Sequence, residues 1–355
     1  MFLIRKKMIK QKRKTIYPNS NKITNEIDLP KPKVLITRQF FTQAIDLIKT
    51  VADVEIYPSE EDPIPRDVFL DKVQDKQGLL PMLTDRVDQE LLDKSKNLKV
   101  VSNYAVGYNN IDVAEATKHK VMVTNTPDVL TDTTADCAFM LLMAISRRLV
   151  EVDKYVRDGK WVKAWGPKML LGSDITGKTL GIIGLGRIGQ AMVPRAKGFK
   201  MRVLYHNRNP NPEMEKELDI EYRSFDDILA ESDYISLHVP LNDATHHLIG
   251  EAELKKMKET AYLINTSRGP VVDEKALTKA LQMRWIAGAG LDVHDKEPTD
   301  PHNPLLKLDN VIVAPHIGSA TIETRLAMAM RAATNLTAAL KGEKPTDLLN
   351  PEVLE

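Results

Sequence analysis

Three glycines, Gly184, Gly186 and Gly189, follow the apolar residues Leu180, Ile182 and Ile183 and precede helix-compatible residues through Phe199. Strand, glycine turn and helix in that order offer free backbone N–H groups and a helix N-terminus, which together hold a pyrophosphate. Gly184 serves the tight turn, Gly186 lets the backbone approach the phosphates, and Gly189 lets helix and strand pack closely. The Gly-x-Gly-x-x-Gly spacing alone is weak, since any glycine-rich turn can match it. A second apolar run, 201–205, ends where the ribose-reading residue of such a unit stands, and this context makes a dinucleotide site the expectation. That run is followed by Asn207 and Arg208 rather than Asp or Glu. A carboxylate would bond ribose hydroxyls and repel a 2′-phosphate, whereas a guanidinium can pair with the phosphate through two parallel hydrogen bonds. Both residues also suit an ordinary solvated turn. NADP(H) is favoured, with NAD(H) as the alternative.

Further apolar runs at 234–239, 261–265, 290–293 and 311–314 end in His238-Val-Pro240, Thr266-Ser-Arg268-Gly269, Asp292 and His316. The carboxyl ends of parallel strands are where a dinucleotide lies, so these polar ends should converge on one cleft. Nearer the start, the loops Met82-Leu83-Thr84 and 104–112 stand at similar strand ends. Gly107, after a strand and before a helix, leaves backbone N–H groups free for a carboxylate. A mere strand–helix connector fits it equally well.

These residues need a scaffold. From Lys33 onward short strands (34–37, 54–57, 78–80, 100–102, 121–124) alternate with amphipathic segments such as 44–49 and 87–92. Such alternation predicts α/β architecture with parallel sheets covered on both faces. A chain of 355 residues exceeds one comfortable core, so two domains are expected. Residues 131–136 (Thr-Asp-Thr-Thr-Ala-Asp) supply N-cap candidates for a long helix reaching about Val150 or beyond. Its apolar faces are too broad for a surface helix, which predicts burial between domains or subunits. Trp161, Trp165 and Met169 in the following loop suggest an oligomer contact, or packing on their own domain.

The formal net charge of +1 argues against a global nucleic-acid footprint. Cys137 is the only cysteine; no intramolecular disulfide is possible, and its apolar neighbours indicate a packing thiol in a reducing, cytoplasmic setting. The apolar run 137–145 is too short to span a bilayer. No metal site is expected. Residues 1–31 are basic, with Arg5, Lys6, Lys7, Lys10, Lys12, Arg13 and Lys14 and no apolar core of signal-peptide length. They read as a disordered extension, with contact to RNA or anionic lipid as the alternative.

His238-Val-Pro-Leu241, Leu263-Ile-Asn-Thr-Ser-Arg-Gly-Pro270, Leu291-Asp-Val-His-Asp-Lys-Glu-Pro298 and Ala314-Pro-His-Ile-Gly-Ser319 occur in that order. They resemble the motifs of the D-isomer-specific 2-hydroxyacid dehydrogenases, and the resemblance runs from about Lys33 to the C-terminal helix. Tyr104-Ala-Val-Gly-Tyr108 and Ile317-Gly-Ser-Ala-Thr321 resemble the glyoxylate/hydroxypyruvate reductase branch, with 2-ketogluconate reductases nearby. The resemblance implies two doubly wound parallel-sheet domains with a cleft between them. A flavodoxin-like substrate domain would comprise 32–128 and 317–355, and a Rossmann coenzyme domain 129–316. It implies Arg268, Glu297 and His316 as the catalytic set, substrate contacts at Leu83, Val106 and Gly107, and a homodimer whose coenzyme domains pack together. Its coenzyme contacts would be Gly184, Gly186, Arg187, Ile188 and Gly189 at the turn, with Asn207 and Arg208 beyond it. His238, Pro240, Thr245, Thr266 and Asp292 complete that set.

Two departures stand out. His294-Asp295 replaces the family's frequent aromatic-Glu, which places an extra imidazole near the cleft or within its frame. Pro194 removes a helical donor after Gly189 and should kink that helix. An NAD-linked 3-phosphoglycerate or D-lactate dehydrogenase is the nearest alternative. The chain beyond the returning helix leaves no room for a regulatory domain, and Asn207-Arg208 suits neither NAD-linked role. A non-catalytic, dinucleotide-sensing corepressor on the same scaffold is the other alternative.

The chemistry is consistent with this resemblance. Reducing a 2-oxo acid needs a cation for the carboxylate, a proton donor for the carbonyl oxygen and a hydride nearby. Arg268 offers a donor fork that matches a carboxylate. His316 can carry a proton at neutral pH if an anion raises its pKa, and Glu297 is the candidate anion. Singly, Arg268 could be a loop ion pair, Glu297 a solvated charge and His316 a strand-end hydrogen bonder.

Overall fold

A computed structural model describes residues Pro30–Glu355; the basic stretch between Arg5 and Lys14 lies outside the described residues. The first part of the chain alternates β1 (Lys33–Ile36), α1 (Thr42–Lys49), β2 (Asp53–Ile56), α2 (Arg66–Lys72) and β3 (Gly78–Leu80). It continues through α3 (Gln89–Lys94), β4 (Val100–Ser102), α4 (Val113–Lys118) and β5 (Met122–Thr124). All five strands pair in parallel, in the order β2-β1-β3-β4-β5. That is the flavodoxin-like order.

The second part opens with α5 (Thr131–Ser146) and α6 (Leu149–Arg157), followed by β6 (Thr179–Ile183), α7 (Arg187–Gly198), β7 (Arg202–His206), α8 (Pro212–Leu218), β8 (Glu221–Tyr222), α9 (Phe225–Glu231) and β9 (Tyr234–Leu237). Next come α10 (Glu251–Lys256), β10 (Tyr262–Asn265), α11 (Glu274–Gln282), β11 (Gly288–Leu291) and β12 (Val311–Val313). These seven strands form a second parallel sheet, ordered β8-β7-β6-β9-β10-β11-β12. Its order reverses direction at β6, beside the glycine turn, which is the switch point where a doubly wound sheet binds its ligand. The chain then returns to the first sheet as α12 (Ile322–Leu340).

Side-chain alternation explains how each sheet is covered. Val34 and Ile36 pack on α1 and α12, while Leu35 between them packs under α2 and α3 with Phe69 and Leu91. In the second sheet Leu180 and Ile182 face α5 and α7, and Ile183 faces α9. Both faces being buried, the strands read as nearly continuous apolar runs. Ala329, Ala332, Ala333 and Leu336 form the sheet-facing side of α12, and the small alanines let Ser102 Oγ donate to Ala332 O at 2.8 Å.

Two expectations are corrected. The helix expected from Thr131 to about Val150 is two helices, broken where Arg148 takes a left-handed conformation (φ +53°). The arginine side chain secures the break, bonding Glu151 through Nε at 2.7 Å and Leu171 O through Nη1 at 3.1 Å. The polar residues Thr131–Asp136 do not cap α5: its N-cap is Leu130, without a side-chain cap, because Thr131 already lies inside the first turn. Thr133 instead meets Thr324 of α12, hydroxyl to hydroxyl, at 2.6 Å. Helix α7 runs from Arg187 to Gly198 with Pro194 inside it. The short edge strand β8 carries no alternation long enough to announce it.

Leu336 is fully buried between α12 and the first sheet. Leu336→Ala should destabilise the protein by about 2–5 kcal/mol, read as a lower midpoint in equilibrium denaturant unfolding.

Candidate active site

The carboxyl ends of both sheets open onto a cleft of ≈ 1730 Å³. It is larger than most small-molecule pockets, which occupy about 300–1,000 Å³, and suits a dinucleotide together with a small substrate. Gly186 and the first residues of α7, Arg187 and Ile188, line it. Gly184 has φ +98°, and a Cβ there would stand 2.7 Å from His238 O, so the turn tolerates only glycine. A Cβ on Gly189 would collide with Gly184 O. A Cβ on Gly186 would meet nothing within 4 Å among the described residues, and no side chain of theirs caps the helix start, so its N–H groups remain open to an anion. Deeper in, the Thr266 hydroxyl is buried without a partner on the cleft wall. Open backbone donors and an orphaned hydroxyl are what a bound dinucleotide would satisfy, and in this respect the residues fit one.

The remaining coenzyme-side residues are placed less uniformly. His238 and Pro240 line the cleft; burial pulls the His238 pKa down to about 4, and its Nε2 meets Ser236 Oγ at 2.8 Å. Thr245 is not among the lining residues, since its hydroxyl donates to Pro240 O at 2.6 Å and braces the loop from behind. Asn207 likewise works on the frame, its Oδ1 accepting from Leu185 N at 2.7 Å to hold the glycine turn against β7. Arg208 is exposed just beyond β7 and has no ion pair among the described residues. Arg187 reaches away from its own helix to Asp128, with Nε 2.6 Å from Oδ1.

Arg268, Glu297 and His316 meet in the same cleft. His316 Nδ1 lies 2.7 Å from Glu297 Oε2, and Glu297 Oε1 accepts the His294 N–H at 3.1 Å. With Nδ1 turned to the carboxylate, Nε2 is the nitrogen left for a substrate. Burial pushes the Glu297 carboxyl up, but the hydrogen bond and charge of His316 outweigh it and hold the pKa below its ordinary value. Asp292, 1 % exposed, accepts from Ile317 N and Gly318 N, each at 2.7 Å. Burial raises its pKa against those two donors. The carboxylate so fixes the turn in which His316 adopts φ +57°.

Desolvation lowers the Arg268 pKa and the Glu297 charge opposes it; a guanidinium remains protonated throughout. Its Nη1 donates to Ser267 O at 2.7 Å and its Nε to Asn109 Oδ1 at 2.9 Å. Nη2 abuts Gly107 so closely that a Cβ there would overlap it. Gly107 is therefore glycine because the arginine occupies the space of a side chain. Val106 and Leu83 also line the cleft. His294 is built into the frame: Nε2 bonds Ala314 O at 3.1 Å, while Nδ1 is buried without a partner.

Several contributors carry no sequence signal. Asn103 and Asn110 bond each other and tie Gly107 O to Met82 O and Asp85 O, joining the loops that follow β3 and β4. Buried Asp85 accepts from Met82 N at 2.8 Å and from the Thr37 hydroxyl. Asn109, too, acts on a residue far away in sequence. Spacing alone could not single these out, because their partners come from other strands. Among the described residues no helix is long and apolar enough to cross a membrane.

Comparison with known proteins agrees with this geometry. Residues 139–318 match the family model for the D-isomer specific 2-hydroxyacid dehydrogenase, NAD binding domain. A glyoxylate reductase of Korarchaeum cryptofilum is 52 % identical over 325 residues, covering 92 % of this chain and 98 % of the relative. One from Thermococcus litoralis is 54 % identical over 327 residues, covering 91 % and 98 %. The crystal structure of an NADPH-dependent glyoxylate/hydroxypyruvate reductase from Sinorhizobium meliloti, in complex with NADP and malonate, superposes with a TM-score of 0.78. The two share 31 % identity over 90 % of this chain and 97 % of that one. A nicotinamide-dinucleotide fold, a histidine–glutamate pair and an arginine at a glycine turn thus coincide with close sequence relationship, and the chain belongs to the D-isomer-specific 2-hydroxyacid dehydrogenase family.

Proposed function

We propose that this enzyme reduces small 2-oxo acids, glyoxylate and hydroxypyruvate first and 2-ketogluconate as a longer relative, to D-2-hydroxy acids, with NADPH preferred over NADH. The observation that carries this reading is the Glu297–His316 pair in one cleft with Arg268 held against Gly107. Reductase relatives at 52 % and 54 % identity support the substrate class. Residues 32–128 with 317–355 form the substrate domain in this reading, and 129–316 the coenzyme domain.

Gly186, Arg187, Ile188, Thr266 and Asp292 would hold the dinucleotide, which when bound supplies a hydride. Arg268 pairs with the substrate carboxylate, helped by the backbone at Val106 and Gly107, and polarises the carbonyl. His316 gives the proton on Nε2 to the carbonyl oxygen. Glu297 stabilises the charged imidazole and keeps its ring aligned.

The sign of the pH dependence follows from Glu297. Its pKa in the folded protein lies below the ordinary 4.5. The ionised pair is therefore complete above that ordinary value and is lost as pH falls through the lowered one. Glu297→Gln should erase this acid limb and move the alkaline decline of reduction to lower pH. Rates measured with hydride transfer shown to be limiting check this, and unshifted limbs would exclude Glu297 from the role. His316→Ala should lower turnover by about 10²–10⁴-fold.

The NADPH preference rests on exposed Arg208 beyond β7, where no acid stands. Arg208→Ala should weaken NADPH binding by about 1.5–3 kcal/mol and leave NADH nearly unchanged, as read by titration of protein fluorescence. Equal losses for both cofactors would refute it.

The enzyme also works as a two-fold dimer in this reading. Met140, Met143, Leu149, Val150, Val156, Trp161, Val162 and Trp165 all remain exposed, Trp165 at 79 %. So long a run of exposed apolar side chains on α5, α6 and the next loop needs a cover. Sedimentation should give a dimer, and Leu149→Glu combined with Trp165→Glu a monomer; a wild-type monomer active at assay concentration would exclude it.

A further inference from the structure

Glyoxylate has no atoms beyond its aldehyde carbon, yet the cleft continues past Leu83 toward the carboxyl ends of β1 and β2. Arg38 stands there, directly after buried Thr37. Its Nη1 donates to Glu61 O at 3.1 Å and its Nη2 to Thr84 Oγ1 at 3.0 Å. Nε is buried without a partner, and no carboxylate forms an ion pair with this guanidinium among the described residues. A guanidinium has five N–H donors, so each Nη keeps one hydrogen uncommitted. Its hydrogen-bond acceptors are neutral, and the buried Asp85 carboxylate attracts it without a direct bond, so the fork stays open on the cleft wall.

The arm also contains Gln39, Gln43 and Glu60, with Phe40 and Phe41 beside them. Donors and acceptors of both signs suit hydroxyl groups, which give and take hydrogen bonds, better than a second carboxylate, which only accepts. Phe40 packs edge-on to Tyr104, ring centroids 5.5 Å apart. The arm lies one loop away from the carboxylate site. Arg38 bonds Thr84, the Met82–Asp85 loop is tied through Asn110 and Asn103 to Gly107, and Gly107 touches Arg268.

We infer that Arg38 is a specificity-determining residue: it donates hydrogen bonds to a hydroxyl carried beyond the carbonyl carbon and so selects hydroxylated 2-oxo acids over unsubstituted ones. The inference rests on the proposed 2-oxo acid reductase activity. A site built to bond a hydroxyl rejects the analogue lacking it more strongly than a plain apolar pocket rejects a changed methylene.

The test is kcat/KM of the full-length enzyme with NADPH for glyoxylate, hydroxypyruvate and pyruvate, the last two differing by one hydroxyl. The wild type should favour hydroxypyruvate over pyruvate, and Arg38→Met should reduce that ratio by about tenfold or more. The loss on hydroxypyruvate should also exceed the loss on glyoxylate. If Arg38 merely braces the Thr84 loop, all three substrates fall together and the inference is overturned. It is equally overturned if the wild type shows no preference, or if a diacid such as oxaloacetate is the substrate that loses most. Should Arg38→Met fail to fold, Arg38→Lys, which keeps the charge and loses the fork, carries the same test, and an unchanged ratio overturns the inference. Failure of the wild type to reduce any of these acids would instead overturn the proposed activity.

Discussion

A buried carboxylate that no cation among the described residues touches by hydrogen bond holds this cleft together. Asp292 leaves β11 at the core of the second sheet and receives the N–H groups of Ile317 and Gly318, while its own carbonyl receives the N–H of His316. Three bonds to consecutive residues define one backbone path, and that path forces His316 into the left-handed region. A side chain other than glycine adopts such a conformation only when its surroundings over-determine it. The same three residues begin the crossing back to the first sheet. One buried group thus sets both the direction of the imidazole and the point where the two parts of the molecule join again.

Everything else in the cleft is arranged across that junction. Arg268 comes from the second sheet, but its Nε bonds Asn109 of the first and its Nη2 fills the space above Gly107. Ile188, at the start of α7, packs against apolar residues of both parts. Arg187 next to it meets Asp128, which has φ +69° where the chain first leaves the first sheet. The reactive groups are not a constellation on one rigid element; their separation depends on how closely two separately packed sheets approach.

Much of this was legible in the sequence because parallel sheets place chemistry at predictable ends. The glycine turn, His238, Thr266, Arg268, Asp292 and His316 all follow short apolar runs, and all but the back of the turn line the cleft. Residues that act on the frame were harder to read. Asn207 stands where a ribose contact is expected, yet its amide holds Leu185; Thr245 is bonded behind the wall. The break between α5 and α6 was hidden because a left-handed arginine looks like any other in a helical pattern. Asn103, Asn109, Asn110 and Arg38 bond partners set by tertiary packing, and periodicity contains no term for them.

The return of the chain also has a consequence for biosynthesis. One face of the first sheet is covered by α12, whose alanines lie roughly 200 residues after β5 in the order of translation. At about 5–20 residues per second the ribosome needs on the order of 10–40 s to supply that cover. By the end of this interval the second sheet, contiguous from β6 to β12, has all its strands, while Val34, Ile36, Leu80 and Val100 still lack their contacts with α12. The nascent first sheet is therefore the part that needs shielding from other chains, and the second sheet is the part that is complete first.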